Sequence, residues 1–159
     1  MKFNIILKRV SDLCELCVFV YGTLKPGGRY HQRYCSDYLT WARPAVARGR
    51  LYDFPELGYP AMTWGKDWVK GYVLTFVQPE SVCQQILQRL DGLEGFYPEH
   101  QSAENEYERQ RVLAVLLNEG GSAAEEKSQS AWAYFMAAEK VRSLGGQYLP
   151  SGDWPVDVS

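Results

Sequence analysis

The stretch Cys17-Val18-Phe19-Val20-Tyr21-Gly22-Thr23-Leu24 decides the architecture. Five apolar residues in succession, β-branched and aromatic among them, suit a strand buried on both faces, and Gly22 ends the run at a tight loop reaching Gly28. Downstream, Tyr30 to Leu39 reads as a helix, and Ala45 to Asp53, with Gly49 inside it, and Trp68 to Val77 alternate as strands. Pro55 and Pro60 punctuate the stretch between those two strands. A second helix begins at Gln78 with Pro79 in its first turn, where a missing N–H is harmless, and lines up Val82, Ile86, Leu87 and Leu90. Gly92 and Gly95 end it. Tyr107 to Leu117 and Ser130 to Met136 read as strands, joined by a polar, solvent-exposed connection over Asn118 to Gln129. Such an order has too few helices for a doubly wound sheet and too many for a plain sandwich. The expectation is an α+β fold whose sheet curls toward a barrel, in one domain spanning 1–159.

Composition narrows the function. Seventeen Lys plus Arg against 19 Asp plus Glu leave a net charge of −2, and 46% apolar with 23% charged residues is the balance of a globular chain. A pI near 5.7 lacks the excess positive charge on which nucleic-acid binders rely. A small neutral or zwitterionic ligand stays open. The longest apolar run, Ala131 to Ala138, has eight residues, far short of the roughly 20 that span a bilayer. Ile5-Ile6-Leu7 is followed at once by Lys8, Arg9, Asp12 and Glu15, so the beginning reads poorly as a secretory signal and a cytoplasmic location is expected. Cys14, Cys17, Cys35 and Cys83 are then expected as free thiols.

Several motifs fail. Gly22 to Arg29 spaces two glycines like a phosphate loop, but the places for Lys and Ser or Thr hold Gly28 and Arg29, and Pro26 removes a donor. Cys14-Glu15-Leu16-Cys17 has redox or half-zinc spacing with no second pair, and His31 and His100 stand alone. Neither histidine suits a hydrolase triad. Most of the 11 Tyr, 5 Trp and 6 Phe are assigned to core packing rather than to a lined pocket.

Two places carry chemistry. The Tyr21 to Leu24 loop, following an apolar strand, can turn successive N–H groups inward to hold a carboxylate, or it can be an ordinary turn. Leu90-Asp91-Gly92-Leu93-Glu94-Gly95 puts a carboxylate just past a helix C-terminus, where burial and the helix dipole raise its pKa toward neutrality. A solvated loop glutamate is the other reading.

Val18 to Leu24, Gly49-Arg50-Leu51-Tyr52 with Tyr59-Pro60-Ala61, Val69-Lys70-Gly71-Tyr72-Val73, Leu90 to Gly95, Tyr107-Glu108-Arg109 and Trp132-Ala133-Tyr134 together resemble the ordered motifs of the γ-glutamylcyclotransferase-like (BtrG-like) family. The resemblance runs from about Val18 to Trp154. It implies a small mixed β-barrel flanked by helices, and conversion of a γ-glutamyl amide into 5-oxoproline with release of an amine or amino acid. It makes Glu94 the catalytic acid/base and Tyr21, Gly22, Thr23 and Leu24 the loop that holds the α-carboxylate. Tyr107 matches an aromatic position that hydrogen-bonds substrate or Glu94, after a longer segment, Phe96 to Glu106, carrying Glu99, Glu104 and Glu106. Tyr134 is expected to be structural, and Arg109 to pair with a carboxylate or face solvent. No metal and no cofactor is implied, and the expected state is a monomer with a small-molecule γ-glutamyl substrate and no nucleic-acid or membrane partner. The alternative is a non-catalytic binding module, for which Glu94 would be paired with Arg109 or Arg111 outside the pocket. A third class, a domain acting on a partner protein, would show a large exposed apolar patch.

Overall fold

A computed structural model describes residues 12–118, 120 and 123–156. Residues 1–11, on which the reading of the beginning rests, lie outside them. Strand β1 (Leu13–Val20) pairs antiparallel with β3 (Tyr59–Pro79) and parallel with β5 (Ala123–Phe135). Strand β4 (Glu108–Leu117) lies antiparallel between β5 and β2 (Trp41–Phe54), and β2 pairs with β3 along a long hairpin. That last pairing closes a mixed five-stranded ring, so the α+β fold expected from the sequence is the one observed. The short β6 (Gln147–Tyr148) adds to β2, opposite Tyr52 and Asp53.

The uninterrupted apolar run of β1 follows from its position. Cys17, Phe19 and Tyr21 point into the ring, where Ala45, Ala47, Ala114, Ala131 and Ala133 keep side chains small enough for a narrow interior. Leu16, Val18 and Val20 face the other way, toward helix α1 (Glu80–Leu93), which buries Cys83, Ile86 and Leu90 against them. Helix α2 (Ala138–Ser143) buries Val141 in the same outer core. Cys14, Cys17, Cys35 and Cys83 are free thiols. Among the described residues no helix is long and apolar enough to cross a membrane.

Several boundaries differ from the sequence reading. The Tyr30 to Leu39 segment is a single wide turn over Gln32–Ser36 that buries only Cys35, because the chain must enter β2 at Trp41. Strand β3 starts at Tyr59, so Pro60 lies at the beginning of a strand, where a missing donor is tolerated, rather than in a connection. Pro79 is the N-cap of α1, still extended at ψ 148°, and the helix proper starts one residue later. The supposed connection Asn118 to Gln129 is mostly strand: β4 turns back so that Leu117 faces Ala123, and its polar composition reflects an exposed hairpin end, as at Lys127 and Ser128. The C-terminal tail is anchored. Trp154 packs on the barrel cluster and donates to Asp53 Oδ1 at 2.9 Å, and Gly152 O accepts Lys70 N–H.

Candidate active site

Where β1 leaves the ring, the chain curls so that its carbonyls turn back on the loop. Gly22 O accepts Lys25 N–H at 3.0 Å, Thr23 O accepts Tyr30 N–H at 3.0 Å, and Leu24 O accepts His31 Nδ1 at 2.8 Å. Among the described residues, no acceptor takes the N–H groups of Gly22, Thr23 and Leu24. Three successive free donors of this kind make an anion-binding concavity. They line a cavity of about 180 Å³ whose other walls include Tyr30, Tyr59, Pro60, Leu93, Glu94, Glu106, Tyr107 and Tyr134.

Gly22 is dictated by close approach. A Cβ there would stand 2.6 Å from Pro60 Cγ, and Pro60 is fixed because its carbonyl accepts the Tyr107 hydroxyl at 2.8 Å. Gly22→Ala is therefore expected to destabilise the fold by about 1–3 kcal/mol through overpacking. Distortion of the three donors should raise KM about tenfold or more, the scale of one charge-assisted hydrogen bond. Thermal melts with steady-state kinetics check both, and an unchanged KM would remove the loop from the binding role.

Glu94 caps the C-terminus of α1. Its N–H reaches Leu90 O at 3.0 Å, and Gly95, at φ 63°, turns the chain out of the helix in a backbone region that side chains disfavour. Its carboxylate enters the cavity, where burial first, and then the negative charge of Glu106, push its pKa up to about 8. Among the described residues, no ion pair includes Glu94. Arg109 is taken by Asp91, and Arg111 lies 3.8 Å from the Trp132 ring, so the pairing expected of a non-catalytic module is not what is found.

The other site residues divide by where their polar atoms go. Tyr21 lines the cavity, yet its hydroxyl donates to Tyr134 O at 2.6 Å and accepts Met62 N–H. Tyr107 also lines it, but its proton goes to Pro60 O rather than to Glu94; burial drives both phenols well above their usual range. Tyr134, expected to be structural, lines the cavity too and donates to Asp91 Oδ1 at 2.7 Å. Arg109 Nη1 holds Asp91 Oδ2 at 2.5 Å and packs against Phe96 and Trp132. Asp91, 7% exposed, escaped the sequence reading. Its signal was there: an aspartate in the last turn of a helix opposes the dipole and calls for a cation, and three residues before Glu94 it shares that residue's face. Of the three acids in the Phe96 to Glu106 segment, Glu106 lines the cavity, whereas Glu99 and Glu104 are exposed.

The family model described as gamma-glutamyl cyclotransferase, AIG2-like, matches residues 18–156. Solved structures of similar fold include an AIG2-like protein from Mus musculus, 20% identical, with 91% of this chain and 87% of that one covered at a TM-score of 0.56. A protein from Arabidopsis thaliana is 22% identical, with 86% and 70% covered at 0.57. YkqA from Bacillus subtilis is 20% identical, with 89% of this chain covered at 0.54. This chain spans 40% of the length of YkqA. At these identities the likeness is one of fold. No curated protein matches the sequence.

Proposed function

The chain belongs to the gamma-glutamyl cyclotransferase, AIG2-like family, and from that premise we propose that it cyclises a γ-glutamyl amide to 5-oxoproline and releases the amine or amino acid. The observation that carries this reading is the single cavity shared by three unengaged amides, Gly22 to Leu24, and by the Glu94 carboxylate. One end suits the α-carboxylate of a glutamyl group, and the other suits its α-ammonium.

The reaction needs little else. The Glu94 carboxylate takes a proton from the substrate's α-ammonium, and the freed amine attacks its own γ-carbonyl. The new C–N bond closes a five-membered ring, Glu94 passes its proton to the departing nitrogen as the old C–N bond breaks, and the second proton of the attacking nitrogen, shed as the lactam forms, leaves with the amine as its ammonium. Well-oriented intramolecular attack has effective molarities of about 10⁵–10⁸ M, so no separate nucleophile is required. The Glu94 pKa, raised to about 8, stands much closer than an ordinary carboxylate's to that of the substrate's α-amine, which its neighbouring carboxylate holds somewhat above the value of about 8 for a chain-terminal amino group. Each can therefore take and return the proton without a large penalty.

The sign of the pH dependence follows. Glu94 must be ionised and the substrate's α-amine protonated, so kcat/KM rises with pH to a maximum above about 8 and falls again as the ammonium loses its proton. A profile already flat below about pH 6, as for an ordinary carboxylate, would contradict it. The substrate test is 5-oxoproline release from γ-glutamyl-alanine, a γ-glutamyl-lysine isopeptide and glutathione. Release from at least one is expected, and silence on all three from folded protein would overturn the reading.

A further inference from the structure

The Phe96 to Glu106 segment is clamped at both ends. Phe96 N–H donates to Asp91 O at 2.9 Å, and Glu106 N–H to Gly95 O at 3.0 Å. Asn105, 4% exposed, accepts Tyr97 N–H on its side chain and donates to Tyr97 O and Glu108, while Lys140 holds its carbonyl. Between the buried Asn105 and Tyr107, Glu106 is delivered beside the Glu94–Gly95 peptide: a Cβ at Gly95 would stand 3.3 Å from Glu106 Oε2. Tyr59 donates to Oε1 at 2.9 Å, and among the described residues none donates to Oε2.

Among the described residues, the cavity walls thus carry two carboxylates and no cation. The nearby cations are committed elsewhere: Lys25 to Trp154 O and Asp153, Arg29 to Gly58 O, and Lys140 to Asn105 O. In the reaction above, the loop amides neutralise the substrate carboxylate and Glu94 meets the ammonium. Glu106 remains unmatched. We propose that Glu106 is a specificity-determining residue of this pocket, an anionic subsite for a second positive charge carried by the leaving amine. The inference rests on the cyclotransferase reading. It makes amides of diamines and other basic amines the favoured substrates and disfavours leaving groups that bear a carboxylate, which meet an uncompensated like charge.

The test compares kcat/KM for three γ-glutamyl amides of equal length, made from an α,ω-diamine, an n-alkylamine and an ω-amino acid. The wild type should prefer the diamine amide to its neutral isostere by about tenfold or more and should disfavour the anionic one. In Glu106→Gln the cationic-to-neutral ratio should collapse to about twofold or less, and Glu106→Lys should invert the order. Because the readout is a ratio, a general loss of activity in a variant does not mimic it. Equal turnover of the three amides by the wild type, or a ratio unchanged in Glu106→Gln, overturns the inference alone. Silence on all three overturns the cyclotransferase reading itself, and this inference with it.

Discussion

Glu94→Gln is expected to lower 5-oxoproline formation by about 10³-fold while making the protein more stable at alkaline pH. The activity loss is the scale of general acid–base catalysis, about 10²–10⁴-fold, and this one carboxylate would serve both as base and as acid. The stability gain has the opposite sign. Folding raises the Glu94 pKa from 4.5 to about 8, so between those values the native state binds a proton that the unfolded chain does not. Stability therefore falls as pH rises through that window. The shift corresponds to at most about 5 kcal/mol. Solvent in the cavity screens part of it, leaving about 2 kcal/mol, or roughly 5 °C in Tm. Glutamine removes the effect, so the variant should melt higher than wild type above about pH 8 and alongside it near about pH 4. Unchanged activity, or a lower Tm at high pH, would contradict the assignment.

Asp91→Ala should be the most destabilising of the substitutions considered. Asp91 accepts from both Arg109 and Tyr134, and the Arg109–Asp91 side chains are only 17% and 10% exposed. Removing one partner of such a pair costs about 3–5 kcal/mol, because the other charge is left uncompensated. Arg109 already has a buried Nε without a partner, so it has little means of recovering. For a chain of this length the loss is roughly 10 °C in Tm. Activity should fall with it, since Asp91 ties the last turn of α1, which carries Glu94, to Tyr134 on β5. A double-mutant cycle with Arg109→Met separates the contributions: the double variant should recover part of the Tm lost in Asp91→Ala, and strict additivity would contradict the pairing argument.

How much of this was legible in the sequence depends on the range of the forces involved. Strand β1 and helix α1 were readable because each announces itself within a few residues, by a doubly buried apolar run and by a helical spacing of Val82, Ile86 and Leu90. Glu94 and the Gly22 loop were readable as chemistry for the same reason, and the family resemblance chose between their two readings. Ring closure was less visible, because the β2–β3 hairpin extends beyond the alternating stretches, back to Trp41 on one strand and to Tyr59 on the other. The far end of the β4–β5 hairpin is polar and reads as a connection. The supports of the site join positions far apart in the chain. Tyr134 meets Asp91 across 43 residues, and Tyr59 meets Glu106 across 47. No local pattern encodes such contacts: the resemblance offers Tyr107 a bond to substrate or to Glu94, and the folded chain places it in the cavity wall with its hydroxyl donating to Pro60 O.

The most direct test of the central claim is the product balance of a γ-glutamyl amide turned over in ¹⁸O-labelled water. Cyclisation by the substrate's own amine predicts 5-oxoproline and free amine in equal amounts, with no label in the 5-oxoproline and formation about 10³-fold slower in Glu94→Gln. Labelled glutamate in place of 5-oxoproline would mean that water, not the α-amine, attacks the γ-carbonyl, and would contradict the account.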